Sequence, residues 1–144
     1  MSDRKIVKNA VSCLIVGIAA LTALISYFFL PDQIPMQWSG TEVIWYANKI
    51  AIFSVPVISI LFLVFFNPLL RAFVSKLSAS SPLLPEIIMA GILFIFLSCE
   101  VFTILYCFGF VWHLAYILII EVILLLLLCG ISMFRFNRAM SKQQ

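Results

Sequence analysis

From Ile87 to Phe134 the chain runs for 48 residues with only two charged side chains, Glu100 and Glu121. A helix crossing about 30 Å of hydrocarbon needs about 20 apolar residues at 1.5 Å each. The region is too long for one crossing and right for two crossings joined by a tight turn. That turn is placed at Gly109–His113, where Gly, Trp and His interrupt the Leu/Ile pattern. Trp112 and Tyr116 beside it suit the membrane–water boundary. Two further stretches of spanning length come earlier: Ala10–Pro31, free of charge, and Ile50–Leu70, between Lys49 and Arg71. The pattern predicts an all-α integral membrane protein, with one membrane domain over residues 1–144. Its four transmembrane helices, about 9–31, 48–67, 86–109 and 113–135, form a bundle. The first is read as a retained helix, because its apolar run of about 20 residues exceeds the roughly 7–15 of a signal peptide and no A-x-A site precedes Pro31.

Composition agrees and excludes other classes. Hydrophobic residues make up 65% of the chain and charged residues 10%, against about 45–50% and about 25% in a soluble domain. The net charge of +3 is small and scattered, unlike a nucleic-acid footprint. The expected partner is the lipid bilayer, and no nucleic acid. There is no nucleophile–base pair, metal cluster or phosphate loop, so no catalytic residue, metal or cofactor is expected and the chain is not read as an enzyme. Cys13, Cys99, Cys107 and Cys129 lie in apolar runs without C-x-x-C spacing and are read as small hydrophobes. His113, the one histidine, is read as a headgroup contact.

Orientation follows from the basic residues. With four crossings, Arg4, Lys5, Lys8, Arg71, Lys76, Arg135, Arg138 and Lys142 fall on one side and only Lys49 on the other. Both termini are therefore expected in the cytoplasm of a bacterial cell membrane, with loop 32–47 outside. On the inner side, residues 68–79 place Leu69, Leu70, Phe73, Val74 and Leu77 opposite Arg71 and Lys76. Such a segment could lie on the anionic leaflet as a short amphipathic helix, or it could extend the second transmembrane helix.

Glu100 and Glu121 are placed symmetrically about the centre of the 87–134 region. In an antiparallel helical hairpin they share one depth, about 13–15 Å below the outer face. An ionised acid there costs at least about 2.5–3.5 kcal/mol. Two facing acids leave three outcomes: both neutral, one proton shared, or a cation bound in a wet cavity. Thr103, on the turn after Glu100, and Thr22 and Ser26, on a stripe of small and hydroxyl residues in the first helix, are candidate polar supports. The pair is either a proton or cation site, a polar contact for a partner helix, or a hydrogen-bonded lock on hairpin register.

The outer loop reads Leu30-Pro31-Asp32-Gln33-Ile34-Pro35-Met36-Gln37-Trp38-Ser39-Gly40, then Trp45-Tyr46-Ala47-Asn48-Lys49 and a helix containing Pro56. This resembles the small bacterial membrane domain of unknown function (DUF1648) found at the start of SdpI-type immunity proteins. That pattern is L-P-x-x-I-P, a short polar stretch, Gly, an aromatic, a small residue and Lys. Relatives usually carry His where this chain has Gln37, so metal or proton binding by that His is not implied here. The resemblance implies immunity against a secreted toxin, or a sensory or signalling subunit, acting by partner or peptide binding. The loop's own chemistry allows a bilayer-anchored turn or a docking surface. Pro31 and Pro35 stiffen it, Gly40 permits a turn, Trp38, Trp45 and Tyr46 suit the headgroup level, and Lys49 can snorkel. Expected partners are a peptide toxin or another membrane protein, with a homo-oligomer left open. The alternative is a proton- or cation-coupled transport subunit, or an accessory subunit of a larger transporter, centred on Glu100 and Glu121.

Overall fold

The computed structural model describes residues 10–40, 42–76 and 83–141. Four helices dominate it: α1 (Ala10–Tyr27), α2 (Lys49–Ser75), α3 (Leu84–Cys107) and α4 (Leu114–Ser141). Each is long and apolar enough to cross a membrane, and a helix satisfies its own backbone hydrogen bonds in lipid. The chain is a multi-pass membrane protein.

The segment between α1 and α2 corrects the all-α expectation. It is an antiparallel β-hairpin, β1 (Gln33–Ser39) with β2 (Glu42–Asn48). Gln33 pairs with Asn48 at its base and Ser39 with Glu42 at its tip. The register shifts on both sides of Gln37, which leaves Met36 and Ile44 unpaired as bulges that twist the ribbon. Gly40 turns the chain at φ +65°, a left-handed conformation that favours glycine. The run Val43-Ile44-Trp45-Tyr46 carries β-branched and aromatic side chains of high strand propensity. That preference prevails over the loop reading suggested by Pro31 and Pro35.

Helix ends also differ from expectation. α1 stops at Tyr27 and not at Pro31. The N–H groups of Phe29 and Leu30 both donate to the Ser26 carbonyl, at 2.9 and 3.0 Å, closing a final turn before a residue that Pro31 restricts. α2 opens with a 3₁₀ turn, Lys49–Phe53, whose Asn48 side chain accepts from the Ile50 N–H at 3.0 Å. It then runs as α-helix over Ser54–Leu61, as a wide π turn over Phe62–Phe66, and as α-helix again over Asn67–Ser75. Pro68 has no N–H to give the Val64 carbonyl four residues back, and the helix absorbs this by widening, as π turns do. Residues 68–75 thus extend α2 and are not a separate surface helix; residues 77–79 lie outside the described part. α4 continues past Arg135 to Ser141, since no Gly or Pro interrupts it there.

The core is organised on α3, which packs against α1, α2, α4 and β1. The buried stripe of α1 is Ser12, Val16, Ala19, Ala23 and Ser26, one residue every three or four. Lipid supplies no hydrophobic drive between helices, so close approach of small side chains carries the packing. Val16, Leu70, Val74, Leu84, Met89 and Leu93 form the inner half of the core. Ala23, Leu30, Ile34 and Ile52 form the half under the hairpin. α4 is peripheral. None of the described residues in its spanning part is fully buried, and it meets α3 along half-buried Leu114, Ile117, Glu121 and Leu125.

At Gly91, α3 packs closely against Leu125 of α4. A Cβ there would lie 2.4 Å from the Leu125 Cδ1 atom, whereas one at Gly130 would meet nothing within 4 Å. Gly91→Leu is expected to destabilise the bundle by about 1–3 kcal/mol through overpacking. Gly130→Leu should leave it unchanged or slightly more stable, because Leu is the better helix former. Thermal unfolding in detergent micelles checks the contrast.

Candidate functional site

The hairpin is fixed over one end of the bundle, and the sequence that folds it also supplies the fasteners. Asp32 precedes β1 and accepts an ion pair from Lys49 at 3.0 Å. The Lys49 N–H donates to the Asp32 carbonyl at 3.0 Å, and its ammonium lies 5.4 Å from the centre of the Tyr27 ring. Lys49 is thus tied to the base of the hairpin as well as reaching for water. Ile34 and Pro35 turn inward and are buried, while Pro31 and Gln37 are exposed.

The three aromatic residues of this segment divide into two kinds. Trp38 turns toward α3 and packs edge-on against Phe102 at 5.3 Å and Tyr106 at 6.1 Å. Trp45 and Tyr46 remain outside, 56% and 50% exposed, beside Ile44 at 60%. Trp38 is therefore an anchor, while Ile44, Trp45 and Tyr46 leave exposed apolar surface along β2. Between the anchor, α2 and α3 lies a cavity of about 340 Å³, lined by Gln37, Trp38, Val55, Cys99 and Thr103 among others. The buried Trp38 Nε1 has no protein hydrogen-bond partner.

Glu100 and Glu121 do not share a site. Glu100 is 0% exposed, and neither of its oxygens has a hydrogen-bond partner. Glu121 is half-buried, with Oε1 accepting from the Ser98 hydroxyl at 2.5 Å. Ser98 and Glu100 are two residues apart, or roughly 200° around the helix. Glu100 therefore faces the α1–α2 side of α3 while Glu121 meets the opposite side, in a lateral groove with Gly91, Phe94 and Leu125. A proton shared between them is ruled out by this arrangement. Symmetric spacing sets depth in a helical hairpin; it does not set which way each side chain points.

The expected polar supports serve their own backbones. The Thr103 hydroxyl donates to the Cys99 carbonyl at 3.0 Å and the Ser26 hydroxyl to the Ala23 carbonyl at 3.2 Å; Thr22 is half-buried. Arg71 is not free on the lipid surface. Its guanidinium lies 3.7 Å from Glu86 and donates to Asn67 at 3.1 Å, while Lys76 is exposed.

Sequence reasoning missed Ser59, which is 1% exposed with its hydroxyl unpartnered. Phe62 packs on Phe96 at 5.4 Å, and Ile104 packs against the upper core cluster that contains Ile52. These contacts fix the antiparallel register of α2 on α3 and bring Ser59 within one turn of the level of Glu100. The available signal was Ser59 lying three residues after Pro56 on the same helix face.

Residues 14–60 match the model of the domain of unknown function DUF1648. The chain is also 39% identical over 56 residues to the immunity protein SdpI of Bacillus subtilis (strain 168), a stretch covering 38% of this chain and 27% of that protein. The chain thus aligns with about a quarter of that relative's length. No solved structure matches. The family match takes in most of α1, the whole β-hairpin and the first turns of α2, and excludes α3 and α4 with their two acids. From Leu14 to Ile60 the protein resembles the SdpI-type DUF1648 domain.

Proposed function

We propose that the chain is a small membrane protein of the immunity type, which works by binding and not by catalysis. In this reading both termini are cytoplasmic and the hairpin lies outside, as the distribution of eight basic residues against Lys49 favours. The observation that carries it is the exposed apolar row Ile44, Trp45 and Tyr46 along β2 of a hairpin that Trp38 anchors to α3. Exposed aromatic residues on a rigid support are efficient anchors for a peptide, since they bring contact area at little entropic cost. The row lies within the segment that resembles SdpI, which is named for immunity. A membrane-active peptide toxin is the ligand class that fits: apolar enough to meet the row and present at the same headgroup level.

A second reading, a proton-coupled subunit or an accessory of a larger transporter, loses the shared acid pair. It retains Glu100, sealed in the core without a partner.

Protection of a sensitive bacterium from such a toxin tests the first reading. Trp45→Ala with Tyr46→Ala should leave expression and thermal stability unchanged and weaken toxin binding at least tenfold, given about 2 kcal/mol per anchor residue. Full protection by this double variant would reduce the row to a bilayer anchor. Trp38→Ala should behave differently: it removes the clamp on Phe102 and Tyr106 and should destabilise the fold by about 3 kcal/mol, measured by unfolding in micelles.

A further inference from the structure

We propose that Glu100 is a proton-binding site in the bundle core, a neutral acid near the level of Ser59 and in exchange with water through the cavity beneath the hairpin. The inference goes further than the second reading above, since it names the ligand and its route, and it does not rest on peptide recognition.

The choice of ligand follows from what surrounds the acid. Glu100 is completely buried and neither oxygen has a partner. Among the described residues, α1 carries no Lys, Arg or His, α2 has only Lys49 and Arg71, and α3 has none. Lys49 is held by Asp32 at the rim, about ten residues above the level of Ser59, and Arg71 lies by Glu86 toward the other end. The other titratable side chains on the packed elements are Cys99, Tyr106 and Cys107 on α3, and Cys13 and Tyr27 on α1. None brings a positive charge. Glu121 meets the opposite side of α3. A hard metal cation wants about six oxygens or more, and one carboxylate with one serine supplies three. A proton needs only the carboxylate. Ala19 and Ala23, both buried small residues on α1, let the helices close around this node.

The route is the cavity of about 340 Å³. Cys99 and Thr103 line it from either side of Glu100 in the chain, and Val55 lines it one turn before Ser59. It has room for roughly ten waters at about 30 Å³ each. Its lining is mostly apolar and stops short of Glu100, and the Gln37 amide, the Thr103 hydroxyl and the unpartnered Trp38 Nε1 are the polar groups along it that water can contact.

The test uses the full chain reconstituted in phospholipid vesicles and treated with dicyclohexylcarbodiimide. This apolar reagent takes the proton of a neutral acid onto nitrogen while the carboxylate oxygen bonds to its central carbon. The adduct is located by mass spectrometry. In wild type it should map to Glu100, at least tenfold above Asp32 and Glu42, and Glu100→Gln should lose it while remaining folded, because Gln copies the shape of the neutral acid. In a second arm, a small water-soluble methanethiosulfonate should reach Cys99 at least tenfold faster than Cys129. Absence of the adduct at Glu100 in wild type, a Glu100→Gln chain that cannot fold, or a Cys99 no faster than Cys129 would each overturn the proposal. Trp45→Ala with Tyr46→Ala should keep the adduct, so failure of peptide binding and failure of the proton site are told apart.

Discussion

The close seam between α1 and α3 is the contact on which the remaining architecture depends. In lipid, apolar side chains gain little by leaving one hydrocarbon environment for another, so helices associate by surface fit and polar contact. Ser12, Val16, Ala19, Ala23 and Ser26 give α1 a shallow face, and α3 can approach it closely. That approach seals Glu100 on the inner side of α3 and provides the wall on which Ile34 and Ile52 complete the upper core. α4 has no comparable face and meets α3 only through half-buried residues around Gly91 and Leu125. The protein is thus a three-helix core with a hairpin cap and one peripheral helix.

The cap closes one end of the bundle. Its strands are short, and an isolated two-stranded ribbon is marginally stable in water. Here it is held at its base by the Asp32–Lys49 pair and at its face by Trp38 against Phe102 and Tyr106. The exposed ion pair adds little, as such pairs do; the aromatic clamp and buried Ile34 carry more. Because Trp38 also walls the cavity near Cys99 and Thr103, whatever engages the outer row of the hairpin pulls on an element that touches the surroundings of Glu100.

Much of this was legible before the structure. Apolar length alone specified four crossings, because a 48-residue run with two acids has few other uses. The motif around Pro31, Pro35 and Gly40 pointed to the resemblance that residues 14–60 bear out. What failed was rotational and local. Depth of the acids came from counting, but their facing depended on which stripe of α3 met α4, and Ser98, not Glu100, lies on that stripe. The β-hairpin was hidden by its prolines, although Val43–Tyr46 carries strand-forming side chains. Residues 68–79 left open a surface helix or an extension of α2, and a π turn over Phe62–Phe66 keeps α2 continuous to Ser75. Ser59 looked like one more serine in a membrane helix until the register of Phe62 on Phe96 brought it to the level of the acid.

The claim beneath all of these readings is that the hairpin stands on the outer face of a bundle whose tails are inside. Thiol labelling with a membrane-impermeant maleimide on intact cells tests it most directly, with the native cysteines replaced and a single Cys introduced at Ser39 or at Ser141. Labelling at position 39 without permeabilisation, and at position 141 only after it, is the expected result. Labelling of position 141 on intact cells, with position 39 protected until lysis, would contradict it.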